Sequence, residues 1–143
     1  MFDHILMFWT GLTRDSSSVL SEQKSNTARE MEHLRSMREH ARQLQTLMHD
    51  GFDPLVFGRV LHETWQLKRQ LASDITNPQI DIWYCRAREA GALGGKVCGA
   101  GGGGFLLFIV PPERQDAVRR ALNNLTEISI GYEAQGSRLL FVE

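Results

Sequence analysis

From Ala92 to Phe105 the chain reads Ala-Leu-Gly-Gly-Lys-Val-Cys-Gly-Ala-Gly-Gly-Gly-Gly-Phe. Ordering so many glycines beside a strand has a large entropic cost. The loop must therefore need unusual backbone angles, close approach of another backbone, or access to a ligand. Consecutive exposed amides form a nest suited to a phosphate, and Lys96 would add positive charge at its edge. The same run also suits a tight connection between closely packed layers, and the residues alone leave both readings open. Two familiar nucleotide sites are disfavoured. Lys96 precedes the glycines instead of closing them with Ser or Thr, unlike a Walker A loop. Nor does the run open a long helix after a first strand, as a dinucleotide fingerprint does.

Other polar residues could serve such a loop. Arg14 follows an apolar run and lies near Thr10, Thr13 and Ser16. Its guanidinium fork suits a sugar hydroxyl or a sugar phosphate, so Thr10, Arg14 and Ser16 are candidate substrate contacts. The alternative is an ion pair of Arg14 with Asp15 or Glu22 at a helix start. Lys68 and Arg69 either face a cleft or form a solvated basic edge. Lys96 either touches a phosphate or joins a structural ion pair. His4, His33, His40, His49 and His62 do not assemble into a site. Asp50, Asp53 and Asp81 fall at helix ends, where capping or the helix field accounts for them. No catalytic base and no metal ligand set is assigned. Trp9, Trp65, Trp83 and Tyr84 read as packing residues. Cys85 and Cys98 lie outside any Cys-x-x-Cys pattern, so reduced thiols in a cytoplasmic protein are the default.

These side chains need a frame. His4 to Thr10 reads as a strand, apolar on both parities, which asks for neighbours on both faces. Either later strands flank it, or an upstream domain has been removed. Serines 16–18 can cap a short helix from Ser17 to Asn26. A longer helix spans Ala28–His49, with Leu34, Met37, Ala41, Leu44 and Met48 on one stripe. Asp53-Pro54 opens a third helix that runs to about Leu71 and buries Phe57, Leu61 and Trp65. Ala72 to Asn77 is a loop, and Pro78 starts a fourth helix that Gly91 ends. Lys96–Cys98 and Phe105–Val110 read as strands, and Pro111-Pro112 stops the second. Glu113 to about Leu125 fits a helix packing through Ala117, Val118, Ala121, Leu122 and Leu125. Ile128–Tyr132 and Leu139–Val142 read as final strands around a turn at Gln135-Gly136. The sum is an α+β, two-layer sandwich of a mostly antiparallel sheet and helices.

The chain has 143 residues, which suits one compact domain. Its formal net charge is -1, which gives no footing for nucleic acid. No apolar run is long enough to span a membrane, and the N-terminus does not read as a secretory signal.

The stretch Gly94-Gly95-Lys96 through Gly104, placed before Phe105-Leu106-Leu107-Phe108, closely resembles the third motif of GHMP kinases. That superfamily includes kinases similar to galactokinase, mevalonate kinase and homoserine kinase. Phe8 to Arg14 and Leu61 to Arg69 are similar to segments of bacterial D-glycero-D-manno-heptose 7-phosphate kinases, and Ile80 to Gly91 continues the pattern. The resemblance runs from Ile5 to Val142 and weakens after Pro112.

The resemblance implies the C-terminal domain of an ATP- and magnesium-dependent sugar or sugar-phosphate kinase. Gly99, Gly101, Gly102, Gly103 and Gly104 would shape the cleft, with Lys96 at its approach. It also implies an N-terminal domain with a Gly-Leu-Gly-Ser-Ser-Ala phosphate loop, and that pattern does not occur in this chain. The fragment is therefore expected to begin short of its parent and to be inactive alone. A heptose phosphate is the favoured substrate, with fucose or galactose as alternatives. A noncatalytic metabolite-binding module is the other reading. Apolar surface left by the absent domain would also permit a homodimer.

Overall fold

The computed structural model describes residues 1–13 and 16–136, and for Ser16 the backbone alone. Strand β1 (Ile5–Trp9) is followed by four helices: α1 (Ser16–Asn26), α2 (Met31–Asp50), α3 (Pro54–Lys68) and α4 (Pro78–Glu89). A hairpin of β2 (Gly94–Val97) and β3 (Phe105–Ile109) comes next, then α5 (Gln115–Ala121) and the two-residue β4 (Thr126–Glu127). The sheet order is β2-β3-β1-β4, and every neighbouring pair is antiparallel. This is the expected α+β architecture, a sheet with helices packed against it.

β1 lies between β3 and β4, so later strands supply its lateral neighbours. Its faces are unequal. Leu6 and Phe8 are buried, while Ile5, Met7 and Trp9 are half-buried. The buried face joins Phe108, Leu106 and Val97 to Trp65, Ile80, Tyr84 and Val118 in one core. The expectation of full burial on both faces is thus corrected. Apolar residues on both parities arise here because the second face is only partly covered.

Helix starts follow local chemistry. The Asp53 carboxylate accepts from the amides of Leu55 at 2.8 Å and Val56 at 3.2 Å, and Pro54 fits the first turn. α3 ends at Lys68, a turn earlier than expected, and the chain continues in tight turns to Leu71. On α2 the apolar stripe is shallow: Leu34, Met37 and Leu44 are half-buried, Ala41 and Met48 exposed. α3 meets β2 through backbone. A Cβ on Gly94 would lie 1.8 Å from the Gly58 carbonyl oxygen, and one on Gly58 would lie 2.4 Å from the Leu93 Cβ.

Two expectations in the C-terminal third are corrected. The helix expected over Glu113–Leu125 is a 3-10 turn at Pro112–Arg114 followed by the short α5. It ends before Asn123-Asn124, residues whose side chains compete for the backbone. The strand expected over Ile128–Tyr132 is replaced by β4 and an irregular chain. Ile128 still donates to the Met7 carbonyl at 2.8 Å. The register of β4 on β1 would set Ser129 and Ile130 opposite Leu6 and Ile5, which are extended, so the 3-10 turn at Phe2–His4 removes a partner only for Gly131 and Tyr132. The expected strand at Leu139–Val142 lies outside the described residues.

Candidate functional site

The glycine loop, residues 98–104, is the turn of the β2–β3 hairpin, closed by the Cys98 amide donating to the Phe105 carbonyl at 2.8 Å. Three other segments converge on it. After β1, the Thr10 amide and hydroxyl both donate to the Gly104 carbonyl, at 2.9 and 2.8 Å, and the Gly104 amide donates to the Leu12 carbonyl at 2.9 Å. Before α4, the Ile75 carbonyl accepts from the Gly102 amide at 2.8 Å. The Asn77 side chain caps α4 through the Ile80 amide at 3.0 Å and donates to the Gly102 carbonyl at 3.3 Å. At the end of α3, the Lys68 ammonium donates to the Gly99 carbonyl at 2.5 Å.

The glycines divide by what surrounds them. Gly101 has φ +115°, and a Cβ there would lie 2.6 Å from the Ile75 carbonyl oxygen. A Cβ on Gly103 would lie 2.5 Å from the Leu12 carbonyl oxygen. Gly99, at φ +79°, faces open space, with nothing within 4 Å of its Cβ position. Close backbone packing therefore accounts for Gly101 and Gly103 but not for Gly99. The amides of Gly102 and Gly104 are committed to carbonyls. Among the described residues, those of Gly99, Ala100, Gly101 and Gly103 have no acceptor. Beside the loop lies a cavity of about 260 Å³, bordered by Trp9, Leu12, Thr13, Cys98 and the loop itself.

Electrostatics around the loop is cationic. Burial depresses the Lys68 ammonium pKa below the ordinary lysine range, and the charge of Lys96 adds to that depression. Burial raises the Cys98 thiol, although both lysines pull it down. Cys98 is therefore a neutral thiol, not an activated nucleophile. Among the described residues, neither lysine has a carboxylate partner.

The residues singled out from the sequence separate accordingly. Thr10 is buried and anchors the loop through its hydroxyl. Lys96 lies in β2 and shares a groove with Lys68. Arg69 points elsewhere: it pairs with Asp81 at 2.8 Å, and Asp81 also accepts from Thr76 at 2.7 Å. Arg14 and the Ser16 side chain lie outside the described residues. Glu22, one alternative partner for Arg14, accepts from the amide and hydroxyl of Ser73. Leu12, Ile75 and Asn77 were not legible as loop supports. Only the Asn-Pro step at Asn77-Pro78 carried a local signal, that of a capped helix.

The donor set suits an anion. Open amides and two ammonium groups match phosphate oxygens. Among the described residues, no group of three or more His, Cys, Asp or Glu could hold a metal ion. No helix among the described residues is long and apolar enough to cross a membrane.

A family model described as "GHMP kinases C terminal" matches residues 21–127. The chain is 26% identical over 120 residues to a D-glycero-alpha-D-manno-heptose 7-phosphate kinase of Campylobacter jejuni, covering 82% of this chain and 35% of that protein. It is 31% identical over 118 residues to an L-fucokinase/L-fucose-1-P guanylyltransferase of Bacteroides fragilis, covering 80% of this chain and 12% of that protein. Among solved structures, L. major mevalonate kinase in complex with R-mevalonate superposes with a TM-score of 0.71 at 19% identity. That match covers 84% of this chain and 37% of the kinase. The chain thus spans about a third or less of the length of these relatives.

Proposed function

The chain belongs to the GHMP kinase C-terminal family, and from that premise we propose that it is the C-terminal domain of an ATP-dependent sugar or sugar-phosphate kinase. The observation that carries this reading is the glycine hairpin itself. Its interior is fixed by backbone contacts to Leu12 and Ile75, while open amides remain beside a cavity and two lysines stand near without carboxylates. Such preorganised donors serve a reaction whose main demand is positioning and neutralising phosphate charge.

In this reading the loop forms one wall of the transfer site. Lys68 holds its Gly99 edge, and Thr10 and Asn77 hold its two flanks. An N-terminal domain in the same polypeptide would supply most of the nucleotide site, any catalytic base and the magnesium ligands. ATP with magnesium would supply the transferable phosphoryl group. Since the chain offers no acidic cluster among its described residues, its own part is to shape and orient. Heptose 7-phosphate is the favoured substrate, because one relative bears that activity in its name and the other also acts on a sugar. The setting proposed is the cytoplasm.

The test is ATP-dependent phosphorylation of a panel of sugars and sugar phosphates by this chain and by the longer protein carrying the upstream coding sequence. Activity confined to the longer protein supports the reading. Turnover by the 143-residue chain alone would refute the assignment of essential machinery to another domain. No turnover of any panel member by the longer protein would refute the kinase reading.

A further inference from the structure

A second cavity, of about 290 Å³, lies on the other side of Lys68, between α2 and α3. Leu44, Leu61, Thr64 and Trp65 line it together with Lys68 and Lys96. It shares no lining residue with the glycine-loop cavity, so the two are separate spaces.

Its polar content is one-sided. An ammonium has three donors and no acceptor. Lys68 gives one to the Gly99 carbonyl, and Lys96 has no acceptor among the described residues. The Trp65 indole N–H is buried and lacks an acceptor among the described residues, and the Thr64 hydroxyl is committed, donating to the Val60 carbonyl at 2.8 Å and meeting His40 Nδ1 at 2.9 Å. The groove thus offers the positive charge of two ammonium groups, with no carboxylate among its lining residues. Bringing two ammonium groups together while one is partly desolvated is unfavourable, and an anion between them removes the penalty. A phosphate monoester has the charge and the acceptor oxygens to do this.

We propose that Lys68 and Lys96 bind the phosphate monoester that a sugar-phosphate substrate carries with it, apart from the glycine-loop cavity that serves the phosphoryl group being transferred. The word "substrate" rests on the kinase reading above, whereas the anion site does not. Two separate anion positions on one domain favour a substrate that is already phosphorylated over a free sugar. The sugar body would lie along Thr64 and Trp65.

NMR titration of the 143-residue chain tests this, following the Lys68 and Lys96 side-chain methylenes and the Trp65 indole. The probes are inorganic phosphate, mannose 6-phosphate, mannose and a nonhydrolysable ATP analogue. Inorganic phosphate and mannose 6-phosphate are expected to shift both lysines, mannose 6-phosphate to shift Trp65 as well, and mannose to shift none of them. Lys96→Met should weaken phosphate binding by about tenfold, the loss of one charge-assisted contact, and Lys96→Arg should restore it. Lys96→Met should also raise the Lys68 pKa, a readout that needs no ligand and shows the pair intact in the parent chain.

Absence of a phosphate response, equal shifts with mannose, or unchanged binding in Lys96→Met would overturn the proposal. So would lysine shifts produced by the ATP analogue alone, which would assign the pair to the nucleotide. The kinase reading fails separately. A longer protein that turns over only unphosphorylated sugars sinks this substrate class and leaves the kinase standing. One that turns over nothing sinks the kinase and leaves phosphate binding at the pair intact.

Discussion

Replacing Gly101 or Gly99 with alanine separates the two roles a glycine loop can have. At Gly101 the new Cβ would stand 2.6 Å from the Ile75 carbonyl oxygen and 2.7 Å from the Ile75 Cα. These are backbone atoms held in place by the Gly102 amide, so neither can swing aside as a flexible side chain would. Overpacking of this kind costs about 1–3 kcal/mol. The backbone angle, φ +115°, adds about 1–3 kcal/mol of strain for any residue with a Cβ. Alanine returns about 0.4–1 kcal/mol by restricting the unfolded chain. Gly101→Ala should therefore lose about 1–5 kcal/mol, centred near 3. Gly99→Ala meets nothing within 4 Å and carries only the strain of φ +79°, so its net loss should be about 1 kcal/mol. Urea unfolding followed by tryptophan fluorescence measures both, with the m-value as a check that the same surface unfolds. Equal losses at the two positions, or a Gly101→Ala chain as stable as the parent, would refute the argument that backbone contact with Ile75 dictates glycine there.

Other perturbations give equally definite outcomes. Gly58→Ala gains helix propensity of about 1 kcal/mol but places a Cβ 2.4 Å from the Leu93 Cβ, so thermal unfolding should show a net loss of about 1–2 kcal/mol. Asn77→Ala removes the α4 cap and the bond to Gly102 together. It should cost about 1–2 kcal/mol, and Asn77→Asp, which keeps the cap, should recover most of it in the same assay. Tyr84 is buried, its hydroxyl lies 2.8 Å from His62 Nδ1, and its pKa is pushed up to about 12, chiefly by burial. A raised folded pKa favours the neutral phenol, so its contribution is complete below the ordinary value of 10.0 and is lost as pH rises towards 12. Stability should fall by about 2–3 kcal/mol across that window relative to Tyr84→Phe, which cannot ionise. Parallel alkaline curves for the two proteins would count against a buried phenol.

Much of the frame was legible because it is written in local chemistry. Asp53-Pro54 and Pro78 are local helix-start signals, and an unbroken apolar run such as Phe105–Ile109 needs burial whatever its partner. What stayed hidden depends on where distant segments meet. Nothing near Gly58 announces that its backbone must touch Gly94, 36 positions away by the numbering. The apolar alternation at Ile128, Ile130 and Tyr132 reads as a strand, yet the pairing with β1 gives one bond past Glu127, from Ile128 to Met7, and past Ile5 the register runs into the 3-10 turn at Phe2–His4. Lys68 and Arg69 are adjacent in sequence, yet a helix turns its successive residues apart. One reaches the glycine loop and the other reaches Asp81. Only the fold could distinguish them.

The sequence left the glycine loop divided between a phosphate nest and a packing device, and the structure assigns packing to part of it. Gly101 and Gly103 are dictated by Ile75 and Leu12, and the amides of Gly102 and Gly104 are spent on the same two carbonyls. Those contacts dictate glycine at Gly101 and Gly103, whereas Gly99 and Gly104, at φ +79° and +82° with nothing within 4 Å, are glycines by backbone angle. The residue that touches Gly99 is Lys68, and Lys68 is also the point where the loop and the α2–α3 groove meet. A side chain on Gly99 would extend from the edge where that ammonium is held. The physical case for glycine there is its left-handed angle, φ +79°, at the point where the Lys68 ammonium holds the loop by the Gly99 carbonyl.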